Sequence, residues 1–480
     1  MLFVLRFLVK HWDKVVLASL ITLYIVTLGT LSVLRHNAFA SNFDLSNMDH
    51  TIWNTLYGNF FSLRFHDNYV SRLSVHADFI LILLTPLYLI WDNVRILLIS
   101  QSVFLGIGAL PTYLLAYRIL KDKLISLTIV AIYLLNPQMM WTNIYDFHPV
   151  ALVVPFFLFA FYFALTKRWI WYWIFVFLAI LTKENQSLNI AMMGVVIFFV
   201  LRQRAVGAAT FVGGVCWFVL MVFVIMPHFS ANGVHWALAD YEQDLPSLVT
   251  NSINPINLFY LFVLDSKSHD YYHLLLKPYS YISLIGFPAL VLSIPSLVIN
   301  VLRDTRSINF HYGTGLIPGL TISAILGLKY ISEFLEKLRI KNPRIILYAL
   351  CFGMVLYALR TNYHYSPLPT TPSCWCLIYR VSEEDLAFEN ALQNIPKDAS
   401  VTASLEVRPH VNHRKNVWFV PSATESARFI ALIRQNRIVG NYEPKDYENR
   451  LIPVLLSSKE HRVAFRSEHF YLFERINQTN

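Results

Sequence analysis

Long apolar runs recur through the first 360 or so residues of this 480-residue chain, and no other feature constrains its fold as strongly. The first, residues 15–34, has about the length a helix needs to cross a hydrocarbon layer of roughly 30 Å. Others fall near 76–91, 94–118, 124–137, 149–166, 169–182, 187–201, 205–227, 270–285, 286–302, 312–331 and 345–360. Inside lipid a backbone must satisfy its own hydrogen bonds, so runs of this kind fold as helices. A composition 56% hydrophobic and 14% charged agrees, and argues against a string of soluble domains.

The net charge of +9 does not point to nucleic acid, because the basic residues sit in short clusters between apolar runs. Arg118/Lys121/Lys123, Lys167/Arg168, Arg202/Arg204 and Lys337/Arg339/Lys341/Arg344 mark cytoplasmic loops, on the side of the N-terminus. Parity then requires one run not to span. Residues 76–91 are the choice: the run is short, begins with His76 and Asp78, contains Pro86, and reads as an interfacial helix. About eleven spans remain. They leave 35–93, 138–148, 183–186, 228–269, 303–311 and everything after about 361 outside an inner (plasma) membrane. Arg6, Lys10 and Lys14 precede the first run and "AFA" at 38–40 resembles a cleavage site, but the run has the length of an uncleaved anchor.

The expected organisation is an all-α polytopic membrane domain over 1–365, with a first outer loop at 35–93, and a small extracytoplasmic α/β domain over 366–480. Within the tail, "SVTASLEV" and "NVWFV" read as strands, and "EEDLAFENALQ" and "ATESARFIALIRQ" as helices. Of four cysteines, Cys216 and Cys351 lie in apolar runs. Cys374 and Cys376, two residues apart, are poorly placed for a disulfide and lack a second pair for zinc.

Nearly all the unusual polar residues fall on the outer side. Asp44 and Asp49 follow the first run, on an amphipathic segment with Leu45, Met48, Ile52 and Leu56 at helical spacing, expected to lie along the membrane surface. A carboxylate there can take a proton from a hydroxyl, hold a divalent cation, or cap the helix. In "YDFHP", Asp146 and His148 are candidate metal or phosphate contacts or an interfacial turn. In "LTKENQS", Lys183 and Glu184 stand between apolar runs, where unpaired charge is costly. Arg64, Arg72, His76, Arg303, Arg306, His311 and Tyr312 complete the outer set, suited to the phosphate of a lipid donor or to lipid head groups. Phosphate loops, dinucleotide fingerprints and HExxH or nucleophile-elbow motifs are lacking, so soluble-nucleotide chemistry has no support. The sequons at Asn185 and Asn477 are too common to imply glycosylation.

The ordered set "FDLSNMDHTIWNTLYG", "SVHADFILILLTPLY", "YDFHP", "LTKEN", "HYGTGLIP" and "IPKDASVTASLEVRPHVNHR" resembles the polytopic family catalogued as domain of unknown function 2079. That family is similar to the C-fold (GT-C) glycosyltransferases, which include protein mannosyltransferases and the aminoarabinose transferases of lipid A. Their acid after the first span, followed about fourteen residues on by Gly, matches Asp44 and Gly58. The resemblance implies a polyprenyl-phosphate sugar donor, inversion at the anomeric carbon and an extracytoplasmic active site. It implies Asp44 as general base or metal-orienting acid, with Glu184 or Asp146 as a second acid. The acid usual directly after the first is Leu45 here, so a Mg or Mn site would have to recruit Asp49, Asp146 or Glu184.

The expected activity is therefore glycosyl transfer from a lipid-linked donor to an outer glycan, lipid or protein acceptor. A transporter or lipid flippase is the alternative, and a scaffold whose outer domain binds a partner is a third. A transporter would carry charges near the bilayer midplane and often internal repeats. Here no repeat stands out and the charges gather at span ends.

Overall fold

The computed structural model describes residues 10–65, 68–230, 233, 254–434 and 447–476; part of the expected 228–269 loop and the Asn477 sequon lie outside them. The protein is mostly helical, with a small C-terminal sheet.

Among the described residues five helices are long and apolar enough to cross a membrane: Trp12–Asn37, Arg95–Leu120, Arg204–Phe229, His311–Lys337 and Pro343–Tyr365. A sixth span arises if Lys123–Leu134 and Pro137–Ile144, bent by 46°, are taken together. The bend falls where Pro137 lacks an N–H and Asn136 caps the next helix by accepting from the Gln138 N–H at 3.0 Å. By length and apolarity the described helices give five or six spans, not the expected count of about eleven, and several of the other apolar runs form shorter or broken helices. Trp169–Ile180 has 12 residues, roughly 18 Å. The 270–285 run breaks into Ser266–Leu276, Lys277–Tyr279 and Ile282–Ile285, around Pro278 and the left-handed Ser280 and Tyr281. The 76–91 run is two five-residue helices, Ile80–Leu84 and Pro86–Ile90, meeting at Thr85.

Helices Gln186–Phe199 and Arg204–Leu220 pack almost backbone to backbone. A Cβ on Gly194 would lie 2.5 Å from the Phe211 nitrogen, one on Gly207 2.6 Å from the Phe198 nitrogen, and one on Gly214 2.5 Å from the Ser187 oxygen. Small residues at a seam are how helices approach closely without a hydrophobic force between them.

Polar contacts distinguish the two ends of the bundle. At one, Asp13 at the start of the first helix accepts from Lys123 Nζ (2.7 Å) and Tyr113 Oη (2.5 Å), and Tyr348 donates to Asp122 at 2.7 Å. At the other, Arg35 from the end of that helix pairs with Asp146, and Trp141 donates to the Tyr365 carbonyl at 2.8 Å.

The C-terminal sheet caps this second end, in the order Val417–Phe419, Val401–Ala403, Phe429–Ile433, Phe470–Arg475, His461–Arg466. The first three strands are parallel and the last two pairings antiparallel. Helix Glu383–Gln393 opens with a capping box between Ser382 and Asp385 and buries Phe388 against the sheet. Phe39, two residues beyond the first helix, enters the same core, its ring centroid 4.9 Å from that of Phe470. The helix expected over 423–435 is instead the strand Phe429–Ile433, whose five residues are all buried. A central strand covered on both faces reads as a continuous apolar run, which local periodicity does not separate from a helix. Cys374 and Cys376 are disulfide-bonded, contrary to expectation; the turn brings their Cα atoms to 5.0 Å, within disulfide range.

Candidate active site at the capped end

The helix Phe43–Leu56 begins where Asn42 accepts from the Phe43 N–H at 2.7 Å, so Asn42 and not Asp44 is the cap. The segment does not lie with one face free: residues Leu45 to Asn54 are all buried, between the bundle and the C-terminal sheet. Leu45, Met48 and Ile52 join the membrane-domain core. Ser46 and Asp49 accept from or contact Asn412 on the opposite face.

That sandwich aims Asp44 and Asp49 at different places. Asp44 faces a cavity of about 640 Å³, also lined by Arg72, His76, Asp78, His148, Lys183, Glu184, Arg303, His311 and Tyr312. Phe218, Val222, Phe223 and Ile299 form an apolar wall. Asp49 points away, accepting from Asn412 Nδ2 at 2.7 Å, from His413 Nε2 at 2.9 Å and from the Tyr88 hydroxyl. It ties the C-terminal sheet to the bundle.

His148 Nε2 stands 3.3 Å from Asp44 Oδ2, and its ring stacks on His311 at 3.7 Å between centroids. Its Nδ1 has no hydrogen-bond partner among the described residues, so the Nε2–H tautomer donates to the carboxylate. Burial works to raise the Asp44 pKa, but His148 and the charges of Arg72 and His76 outweigh it, leaving it below the ordinary carboxylate value. Gln101 holds His148 in place: its Oε1 accepts from the His148 N–H at 2.8 Å, while its Nε2 donates to the Thr142, Asn143 and Asp146 carbonyls. Gln101 escaped the sequence reading, although a Gln inside an apolar run was a signal for it.

Glu184 is held at both oxygens, 3.0 Å from His76 Nδ1 and 3.1 Å from the Ala77 N–H. Burial would raise its pKa, yet His76 and Lys183 bring it well below the usual range. It pins the first loop beside the cavity as an anion. Arg72 pairs with Asp78 through two of its nitrogens, with Nη2–Oδ2 at 2.6 Å and Nε–Oδ1 at 3.0 Å, and its charge also reaches Asp44. The Lys183 ammonium makes no ion pair or hydrogen bond with a described residue, and burial pulls its pKa down despite Glu184 and Asp78. It is the cation most available to an incoming anion.

The other candidates lie elsewhere. Arg64 stacks on Trp418 and Tyr69, 4.3 and 5.0 Å from their ring centroids, as part of the contact with the C-terminal sheet. Arg306 is taken up by Asp265 and Asp304. Asp146, left-handed at φ 61°, is paired with Arg35 and accepts the Asn42 N–H at 2.9 Å, so it is not poised beside His148 to hold a metal. No cluster of three or more metal-ligating side chains forms among the described residues.

Comparison with solved structures gives a likeness of fold along the whole chain. ArnT from Cupriavidus metallidurans bound to undecaprenyl phosphate aligns over 97% of this chain and 98% of its own, with a TM-score of 0.53 and 11% identity. The same protein in the apo state aligns over 95% and 98%, with a TM-score of 0.50 and 11% identity. No curated protein matches the sequence. The family model described as "Predicted membrane protein (DUF2079)" matches residues 35–453, most of the chain, and the protein therefore belongs to the DUF2079 family.

Proposed function

We propose that the protein is a membrane glycosyltransferase that moves a sugar from a polyprenyl-phosphate donor to an extracytoplasmic acceptor, with inversion. One observation carries the reading: a single cavity joins a carboxylate oriented by a histidine, an available cation and an apolar wall. The fold shared with a protein solved with undecaprenyl phosphate supports the donor class.

In this mechanism the acceptor hydroxyl gives its proton to Asp44 as its oxygen attacks the anomeric carbon. The bond from that carbon to the phosphate oxygen breaks, and the lipid phosphate leaves as an anion. Lys183, with Arg303 at the same cavity, stabilises the charge that develops on the leaving group. Attack opposite the leaving group inverts the centre. His148 and Gln101 position the base, and the wall of Phe218, Val222, Phe223 and Ile299 receives the first isoprene units. Asp49 and Glu184 act through structure and not as bases.

The test supplies purified protein with polyprenyl-phosphate sugars and membrane acceptors, and compares it with Asp44→Asn. Transfer by the wild type that falls steeply in the variant is expected. Equal transfer by both removes Asp44 from the chemistry, and no transfer by wild type with any donor overturns the reading in favour of a transporter or flippase.

A further inference from the structure

A second cavity, of about 410 Å³, opens at the same end of the bundle and shares no lining residue with the first. It lies between the segment Ser266–Tyr279 and the last turns of the final long helix, and is lined by His273, Lys277, Tyr357, Arg360, Thr361, His364 and Tyr365. Its place is fixed by Trp141, which donates to the Tyr365 carbonyl from the same short helix that leads to His148.

The lining is rich in donors and poor in counter-charge. Neither Lys277 nor Arg360 has a carboxylate within ion-pair distance among the described residues. Lys277 Nζ instead donates to Tyr365 Oη at 3.0 Å and lies 4.8 Å from the Tyr365 ring centroid. Asp270, one turn before His273, is the acid whose charge reaches that ring. Arg360 is exposed and on the same face of its helix as Tyr357, Thr361 and His364, all of which reach the cavity. Two cations on the wall of one cavity, neither paired with an acid among the described residues, are what an anion with several acceptor oxygens would engage. Tyrosines around such a site add hydroxyl donors and ring faces suited to the boundary between lipid and water.

We infer that this cavity is a second anion site, taking the phosphate group of an anionic lipid through Lys277 and Arg360. The site is separate from the proposed donor site, and it stands whether or not the glycosyltransferase reading does.

The experiment places full-length protein in nanodiscs of phosphatidylcholine with 10% phosphatidylglycerol (~10%, chosen for dilute anionic lipid) and measures the phosphatidylglycerol retained on extraction into detergent. The wild type is compared with the Lys277→Gln/Arg360→Gln double variant and with the charge-keeping Lys277→Arg/Arg360→Lys pair. A parallel arm titrates inorganic phosphate against protein in pure phosphatidylcholine discs. Retention about tenfold lower in the neutral variant, restored in the charge-keeping one, supports the lipid site; a tenfold change corresponds to about 1.4 kcal/mol. Phosphate binding that depends on both cations without lipid retention supports the anion site but assigns it to a soluble phosphate. Equal retention and equal phosphate binding by wild type and the folded neutral variant overturn the inference.

Discussion

His148 Nε2 lies 3.3 Å from Asp44 Oδ2, across a separation of 104 residues, and the imidazole is itself held by Gln101 through its backbone N–H. The proposed base is thus oriented by a side chain that is fixed by the bundle interior. Asp44→Asn keeps the shape and loses the proton acceptor, so kcat is expected to fall by ~10²–10⁴-fold with donor binding retained. Single-turnover transfer alongside a donor-binding measurement separates the two. Loss of donor binding with unchanged kcat would count against a base.

His148 lowers the Asp44 pKa, so the base in the wild type stays ionised below the ordinary carboxylate range. Replacing His148 by Phe removes the largest lowering contribution and leaves burial, which raises a carboxylate pKa, opposed by the charges of Arg72 and His76 alone. The acidic limb of the kcat/KM profile should therefore move to higher pH in His148→Phe. A limb that does not move, at reduced activity, would make the contact merely structural.

Lys183 is the cavity cation without an ion-pair partner among the described residues. A charge-assisted hydrogen bond to a phosphate contributes about 1.5–3 kcal/mol, so Lys183→Gln should weaken donor binding about 10 to 100-fold. Isothermal titration with an undecaprenyl-phosphate analogue measures it, and Arg303→Gln is the comparison.

His413 stands between Asp49 (2.9 Å) and Asp92 (2.7 Å), bridging the C-terminal sheet to the first loop. Burial works against its charge, but the two carboxylates raise its pKa to about 9. A raised pKa contributes stability that is complete below the unfolded value of about 6.5 and disappears as pH climbs through about 9. Tm, and protection of the C-terminal sheet from limited proteolysis, should both decline between pH 7 and 9.5 and do so less in His413→Gln. Parallel pH curves for the two proteins would refute the bridge.

Gly207 has no room for a side chain, with a Cβ there 2.6 Å from the Phe198 nitrogen, whereas a Cβ on Gly213 meets nothing within 4 Å. Gly207→Leu should lower stability by more than about 1–3 kcal/mol, the usual cost of overpacking, while Gly213→Ala stays near neutral. Thermal unfolding in detergent reads both.

The apolar runs determined by themselves that this chain forms a helical membrane protein, because lipid leaves a polar backbone no other choice. Local chemistry also sufficed for the helix Glu383–Gln393, which carries its own capping box. The family resemblance singled out Asp44 with Glu184 or Asp146, and the sequence marked Lys183 beside Glu184; Asp44, Lys183 and Glu184 line one cavity, whereas Asp146 does not. The partition between chemistry and scaffolding needed the tertiary structure. Asp44 and Asp49 sit five residues apart on one buried helix and are alike in sequence, yet they face different layers: one a cavity, the other Asn412 and His413. Asp146 looked like a ligand until Arg35, from the far end of the first helix, occupied it. The strand at Phe429–Ile433 and the breaks in the 270–285 run likewise depended on neighbours distant in sequence. A carboxylate's role is set by which charges and donors surround it, and those come from segments a hundred or more residues away.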